Sequence, residues 1–139
     1  MIIVIDTNII FSALLSLNSN FRKILSDNQY SCYAPILVYL EILRHNTKIL
    51  KLAKSGADEV NEYLHIVLDK IHFVNEEIIS QKSFNKAYHL CKDVDATDTP
   101  IVALAIEMNA FLWTGDKKLS KALVSKGYKA IFKPRIKND

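Results

Sequence analysis

The sequence predicts an α/β fold: a three-layer α/β/α sandwich around a central parallel sheet of four or five strands. Residues 1–5 form a continuous apolar run that ends at Asp6, which is typical of a strand buried on both faces of a parallel sheet. Short apolar runs of this kind alternate along the chain with longer segments of helical periodicity, as βαβ units require. Half of the 139 residues are apolar, so that one domain can bury a continuous core.

Polar breaks divide the first half of the chain into short elements. Asn18 lies in a break between two helical segments, and Gly56 marks the turn between two others. Pro35 is placed where the first turn of a helix tolerates proline. We expect helices over residues 8–15 and 21–26, a strand over 31–34, then helices over 36–43, 46–54 and 58–70, the last two forming a hairpin beside the sheet.

The second half repeats the alternation of strands and helices. Gly115 ends one apolar run and Gly127 precedes another. We expect a strand over residues 71–74, a helix in one or two pieces over 76–91, an acidic turn over 93–98, a helix over 100–108, a strand over 111–114, a helix over 116–126 and a last strand over 130–132. No repeat or linker divides the chain, so residues 1–134 are expected to be one domain and residues 135–139 a frayed tail.

Composition excludes several classes of protein. The two cysteines, Cys32 and Cys91, lack the spacing of a zinc site or a disulfide framework, and we expect buried thiols in a reducing compartment. The apolar start has no basic leader or cleavage site, and no run reaches the roughly 20 apolar residues that span a bilayer. We therefore expect a soluble, cytoplasmic protein without a membrane partner.

Basic residues are concentrated near the carboxyl end. Eight of the eighteen Lys and Arg residues lie within residues 117–137, although the net charge is only +3. This asymmetry indicates a polyanionic partner, and the alternative is a solvated basic face that keeps the protein soluble.

Two acids directly follow predicted strands. Asp6 follows the first strand, and Asp116 follows the strand of residues 111–114. Ligands of open parallel sheets bind at the carboxyl ends of the strands, so both side chains are expected at one edge. Each is also a suitable helix N-cap, and that alternative stays open.

Glu41 stands alone in an apolar helical segment. It is the only acid between Asp27 and Asp58. An unpaired carboxylate resists burial, so Glu41 is expected to face solvent, to pair with Arg44, or to bind a metal.

A third acidic group precedes the helix of residues 100–108. Asp93, Asp95 and Asp98 lie within six residues, and crowded carboxylates are stabilised by a cation. The alternative is an ordinary acidic turn capped by Thr97 or Thr99.

The type of side chain indicates the type of ion. Carboxylates without His or Cys at ligand spacing favour Mg²⁺ or Mn²⁺ over zinc. The histidines are isolated and are expected to be surface or partly packed residues: His45, His65, His72 and His89.

Four segments follow one another along the chain: Ile-Asp-Thr-Asn at residues 5–8, Leu-Glu-Ile at 40–42, Asp-Thr-Pro-Ile-Val-Ala-Leu-Ala at 98–105, and Leu-Trp-Thr-Gly-Asp-Lys-Lys-Leu at 112–119. Together they resemble the PIN-domain family, which includes VapC-type toxins. The match spans nearly the whole chain. The resemblance implies a PIN-like three-layer fold whose acidic pocket cleaves single-stranded RNA.

The resemblance also implies roles for individual residues. The family's four acids match Asp6, Glu41, Asp98 and Asp116, which would act in catalysis and in metal binding. The polar residues beside the pocket match Asn8 and Thr114, which would orient carboxylates through hydrogen bonds. Relatives often carry adjacent acids directly before the proline, whereas Ala96 and Thr97 intervene here, so Asp95 is an auxiliary candidate. Three lysines are candidates for binding RNA phosphates: Lys117, Lys118 and Lys121.

These inferences lead to a metal-dependent endoribonuclease, the toxin of a toxin–antitoxin pair. Its expected partners are RNA, an antitoxin protein and a second copy of the chain. The alternative is a PIN-fold module that binds RNA or assembles complexes with weak or no nuclease activity. A dehalogenase-like phosphatase would need an acid where Asn8 stands, and a phosphoryl receiver domain would need paired acids after the first strand.

Overall fold

Four parallel strands form the central sheet in this computed structural model, which describes residues 1–134. The strands are β1 (Ile2–Ile5), β2 (Ser31–Pro35), β3 (His72–Val74) and β4 (Phe111–Trp113). Their spatial order is β3-β2-β1-β4, and all three pairings are parallel. The predicted α/β fold with a central parallel sheet is therefore confirmed.

Helices cover both faces of the sheet. They are α1 (Thr7–Ser16), α2 (Ser19–Ser26), α3 (Ile36–Arg44), α4 (Asn46–Leu52), α5 (Ala57–Lys70), α6 (Gln81–Cys91), α7 (Thr99–Glu107) and α8 (Lys117–Ser125). Helix α1 contacts α3, α4 and α5, while α7 contacts three strands and α6, and α6 contacts α8. The chain crosses from β1 through β2 to β3 in one direction and returns to β4, so right-handed crossovers place these two groups of helices on opposite faces. No helix among the described residues is long and apolar enough to cross a membrane.

Strand β1 lies at the centre of the core. Ile3, Val4 and Ile5 are fully buried, because β2 and β4 flank the strand and helices cover its two faces. This burial explains the unbroken apolar run of the sequence. Since all strands are parallel, their carboxyl ends lie at one edge, where Asp6 follows β1 and Thr114 follows β4.

The last predicted strand is reduced to one bridge. Leu112 pairs with Ile131 in parallel, flanked by hydrogen bonds from the Leu112 amide to the Ala130 carbonyl and from the Phe132 amide to the Leu112 carbonyl, both 2.8 Å. The sheet thus has four strands and a single-residue contact at its β4 edge. The predicted tail, residues 135–139, lies outside the described residues.

The helical segment of residues 76–91 forms two pieces, as the prediction allowed. They are a 3₁₀ turn (Glu76–Ile78) and α6, which Ser80 caps by accepting a hydrogen bond from the Ser83 amide. Pro35 ends β2 instead of opening the next helix, and α3 starts at Ile36 without a side-chain cap from Pro35. A distant side chain replaces that cap: Glu76 Oε1 accepts a hydrogen bond of 2.8 Å from the Leu37 amide.

The cysteines are buried free thiols, as predicted. Burial raises the pKa of both Cys32 and Cys91 to about 11, so both are protonated at neutral pH. The four histidines are exposed, as predicted for surface residues.

Candidate functional site

Asp6 is the most deeply placed carboxylate at the carboxyl edge of the sheet. Its side chain is 5% exposed, and its amide extends the β1–β4 ladder by donating to the Trp113 carbonyl at 2.9 Å. Asp6 precedes α1, yet its carboxylate makes no capping hydrogen bond. Asp6 therefore occupies the N-cap position of α1 without capping the helix through its side chain.

Thr114 and Asn8 hold the Asp6 carboxylate in place. The Thr114 hydroxyl donates to Asp6 Oδ2 at 2.7 Å, and the Asn8 amide donates to the same oxygen at 3.3 Å. Thr114 Oγ1 also accepts from the Asp116 amide at 3.1 Å, and Asn8 Oδ1 accepts from the Gly115 amide at 3.0 Å. These bonds join the ends of β1 and β4 and leave Asp6 Oδ1 free of side-chain hydrogen bonds within the described residues.

Asp116 both caps a helix and lines the candidate site. One oxygen, Oδ1, accepts from the Leu119 amide at 3.1 Å and caps α8, so the capping alternative is correct for this residue. The side chain also lines the acidic pocket at the sheet edge. Capping therefore accounts for one carboxylate oxygen and leaves the other available.

Glu41 reaches the same pocket from α3 and is half-buried. Ion pairing with Arg44 is not formed within residues 1–134. Its helix is less enclosed than the apolar sequence suggests, because Leu40 is 51% and Leu43 47% exposed, while Val38 and Ile42 form the buried side. Glu41 thus lies at the border between the packed and the open side of α3.

The three acids before α7 have different surroundings. Asp93 forms an ion pair with Lys126 at 3.2 Å and is absent from the pocket lining. Asp95 accepts hydrogen bonds from the Thr97 amide at 3.0 Å and hydroxyl at 2.6 Å, which lower the pKa of Asp95. Asp95, not Thr97 or Thr99, therefore caps this turn, while it also lines the pocket.

Asp98 is the half-buried acid that lacks a capping role. It precedes α7 without a side-chain cap hydrogen bond. Burial, followed in order of influence by the neighbouring charges of Asp6, Asp95, Asp116 and Glu41, raises its pKa to about 7. Burial also raises the pKa of Asp6, which the Thr114 hydrogen bond partly offsets. The carboxylates therefore repel one another across one space.

That space is a pocket of about 330 Å³ at the carboxyl edge of the sheet. Its lining is Asp6, Thr7, Asn8, Phe11, Glu41, Asp95, Thr97, Asp98, Ile101 and Asp116. The structure thus brings together all five predicted acids and Asn8, with Thr114 directly behind Asp6. A larger cavity of about 640 Å³, next to Met1 and Phe111 at the amino ends of the strands, has Asp27 as its only acid among the described lining residues.

The donor set of the acidic pocket fits a hard cation. The available donors are carboxylate, amide and hydroxyl oxygens, and their mutual repulsion would be relieved by positive charge. Among residues 1–134, no three His, Cys, Asp or Glu side chains are arranged to coordinate an ion directly as they stand. A cation that keeps several water molecules, as Mg²⁺ does, suits such a loose arrangement.

Thr7, Phe11 and Ile101 line the pocket but were not predicted as site residues from the sequence. Phe11 lies one helical turn after Thr7 on α1, and this i, i+4 spacing from a pocket residue could have indicated it. Thr7 Oγ1 is buried and makes no hydrogen bond within the described residues. The three predicted lysines, in contrast, are exposed on α8 and do not line the pocket: Lys117, Lys118 and Lys121.

Comparisons with known proteins agree with this fold. The chain is similar to a chain in the crystal structure of VapBC2 from Rickettsia felis bound to a DNA fragment from their promoter. The sequence identity is 20% and the TM-score is 0.60, and the match covers 88% of this chain and 93% of that chain. A toxin–antitoxin complex from Klebsiella pneumoniae is 16% identical, with a TM-score of 0.62 over 95% of this chain and 97% of that chain. No curated protein sequence matches significantly. A family model described as PIN domain matches residues 4–131, and the chain therefore belongs to the PIN-domain family.

Proposed function

We propose that this protein is a metal-dependent endoribonuclease that hydrolyses phosphodiester bonds of RNA, with residues 1–134 as its nuclease domain. The observation that supports the proposal is the convergence of five carboxylates on one pocket, where burial and, after it, the neighbouring carboxylate charges raise the pKa of Asp98 to about 7. Such a concentration of negative charge repels an RNA phosphate unless a cation lies between them. The PIN-domain family membership supports the same chemistry.

The proposed ligands are Asp6, Glu41, Asp98 and Asp116, with Asp95 as an auxiliary. They would hold Mg²⁺ or Mn²⁺ directly or through water. When bound, the ion would lower the pKa of a water molecule that attacks phosphorus and would stabilise the departing oxygen.

The protein's own contribution is positioning. Thr114 and Asn8 fix Asp6 Oδ2 by hydrogen bonds, which aligns the remaining oxygen with the pocket. Asp116 is fixed through its cap on α8, and Asp98 is presented by the turn before α7. Asp6, Asp98 and Asp116 each directly precede a helix, while Glu41 is presented from within α3.

Binding of RNA beyond the scissile phosphate is proposed for the basic start of α8. Lys117 and Lys118 follow Asp116 directly, and Lys121 lies one turn later. Exposed lysines contact neighbouring phosphates without reading sequence, and these three lie on the element that carries a site carboxylate.

A toxin–antitoxin role is part of the proposal. The fold likeness to VapBC2 and to the toxin–antitoxin complex supports an antitoxin protein as a partner of this chain. A second copy of the chain remains a proposed partner as well.

The test is cleavage of a 5′-labelled single-stranded RNA by the purified protein in Mg²⁺, in Mn²⁺ and in EDTA. We expect cleavage with either ion, none in EDTA, and none by Asp116→Asn, whose amide oxygen can still cap α8. Asp27→Asn is the matched control, because it makes the same charge change in the other cavity. Cleavage that persists in EDTA would contradict the proposal, and an inactive wild type that still binds RNA would favour the binding-module alternative.

A further inference from the structure

A second groove adjoins the acidic pocket on the α1 and α4 side. It has a volume of about 320 Å³ and is lined by Phe11, Leu15, His45, Lys48, Ile49 and Leu52. We propose that this Phe11 groove is a subsite that stacks a nucleobase of single-stranded RNA next to the phosphate to be cleaved. The inference rests on the proposed ribonuclease function and names a part of the substrate that the carboxylates do not contact.

The two spaces share a wall. Phe11 lines both the acidic pocket and the Phe11 groove. Helix α3 also links the two spaces. The carbonyl of Glu41, a pocket residue, accepts a hydrogen bond of 3.0 Å from the amide of His45, a groove residue. Four residues of helix rise about 6 Å, so His45 lies one turn beyond a site carboxylate. An RNA strand whose phosphate lies in the acidic pocket would therefore place its adjoining nucleotide at the Phe11 groove.

The lining suits the face of a base. The Phe11 and His45 rings meet edge to face, with centroids 5.8 Å apart and planes at 89°, so the two rings form walls at right angles. Leu52, which is 59% exposed, adds apolar surface. Single-stranded RNA is recognised largely by stacking of unpaired bases on aromatic and apolar side chains.

The charge of the groove is opposite to that of the pocket. Among the described residues that line it, none is acidic, and Lys48 is an exposed cation. A phosphate that flanks a stacked base would be attracted to Lys48. An apolar segment of a protein could use Leu15, Ile49 and Leu52 equally well, but it would not explain the shared Phe11 wall and the positive mouth of the groove.

The experiment measures RNA binding separately from cleavage. A fluorescent, mixed-sequence single-stranded RNA pentamer with hydrolysis-resistant phosphorothioate linkages is titrated in Mg²⁺ against wild type, Phe11→Leu, His45→Ala and Lys48→Gln. Lys51→Gln is the matched control, because Lys51 is exposed on the same helix but does not line the groove. Circular dichroism checks the fold of Phe11→Leu, and His45→Ala tests the same aromatic wall at an exposed position.

We expect Phe11→Leu and His45→Ala to weaken RNA binding about 5-fold or more, as loss of a base-stacking contact does. Lys48→Gln should weaken binding and reduce the slope of log affinity against log salt by about 0.7, as loss of one phosphate contact does, while Lys51→Gln binds like wild type. In metal-dependent cleavage, His45→Ala and Lys48→Gln, which lie outside the acidic pocket, should raise KM and leave kcat near that of the wild type.

Two results would overturn the inference. Unchanged RNA affinity in the groove variants would refute the subsite while leaving the nuclease proposal intact. Unchanged RNA affinity together with an altered molar mass in light scattering would assign the groove to a second copy of the chain. A wild type that binds the pentamer through the groove but never cleaves RNA would refute the nuclease proposal instead.

Discussion

Neutralising Asp98 is expected to stabilise the protein in the absence of metal. The pKa of Asp98 is raised from 3.8 to about 7, so the folded state holds the proton more tightly than the unfolded chain does. The ionised carboxylate therefore destabilises the fold by an amount that grows as pH rises from about 4 to about 7 and is complete above pH 7. Asp98→Asn removes this penalty without changing the size of the side chain.

The size of the effect follows from the pKa and the exposure. A shift of about 3 units corresponds to about 4 kcal/mol for a fully buried group. Asp98 is only half-buried, and solvent screening reduces the expected gain to about 1–2 kcal/mol. For a domain of this size, the gain raises the melting temperature by about 3–6 °C at pH 8.

Bound metal should likewise relieve the repulsion among the carboxylates and stabilise the wild type, and it should stabilise Asp98→Asn only a little. Above the Kd, each tenfold increase in Mg²⁺ or Mn²⁺ adds about 1.4 kcal/mol to the stability of a protein that binds the ion only when folded. Asp98→Asn lacks one proposed ligand, so its melting temperature should respond weakly.

The assay is thermal unfolding by circular dichroism at pH 5 and pH 8, with EDTA or with increasing metal. Asp93→Asn is the matched control, because Asp93 pairs with Lys126 outside the pocket. The control should gain no stability and should keep the full metal response. A wild-type melting temperature of Asp98→Asn in EDTA at pH 8, or a wild-type response of this variant to metal, would contradict the proposed role of Asp98.

Three further predictions concern activity. Asp6→Asn should lower RNA cleavage by about 100-fold or more with an unchanged circular dichroism spectrum, and full activity would remove Asp6 from the site. Thr114→Val should lower cleavage by about 10- to 100-fold because Asp6 Oδ2 loses its 2.7 Å hydrogen bond, whereas Thr114→Ser should keep most activity; equal activities of the two variants would contradict this. Lys118→Ala should weaken RNA binding and reduce the salt slope by about 0.7 without lowering cleavage at saturating RNA, and an unchanged slope would make Lys118 part of a solvated surface.

The sheet and its acidic edge were predictable because burial on both faces leaves a clear pattern. The apolar run of residues 1–5 is typical of a strand enclosed by helices, and the acid that follows such a strand is expected at its carboxyl edge. Asp6 and Asp116 were therefore placed correctly from the sequence, and the structure brings Glu41 and Asp98 to the same pocket.

Other features depend on geometry that a single sequence does not contain. The turn before α7 directs Asp95 and Asp98 to the pocket and Asp93 to Lys126, although the three acids look equivalent in sequence. The last apolar run reads as a strand, yet only Ile131 pairs with β4. Phe11 was missed because an aromatic residue on an amphipathic helix is expected in the core.

We propose that one divalent-cation site in the acidic pocket both stabilises the fold and enables hydrolysis of RNA. The test is a pair of Mn²⁺ titrations on the wild type, one of the cleavage rate of a labelled RNA and one of the melting temperature. We expect no cleavage in EDTA and the same Kd for Mn²⁺ from both titrations, once the stability data are corrected to the assay temperature, with both responses lost in Asp116→Asn. RNA cleavage that saturates without any metal-dependent stabilisation, or that proceeds unchanged in Asp116→Asn, would contradict it.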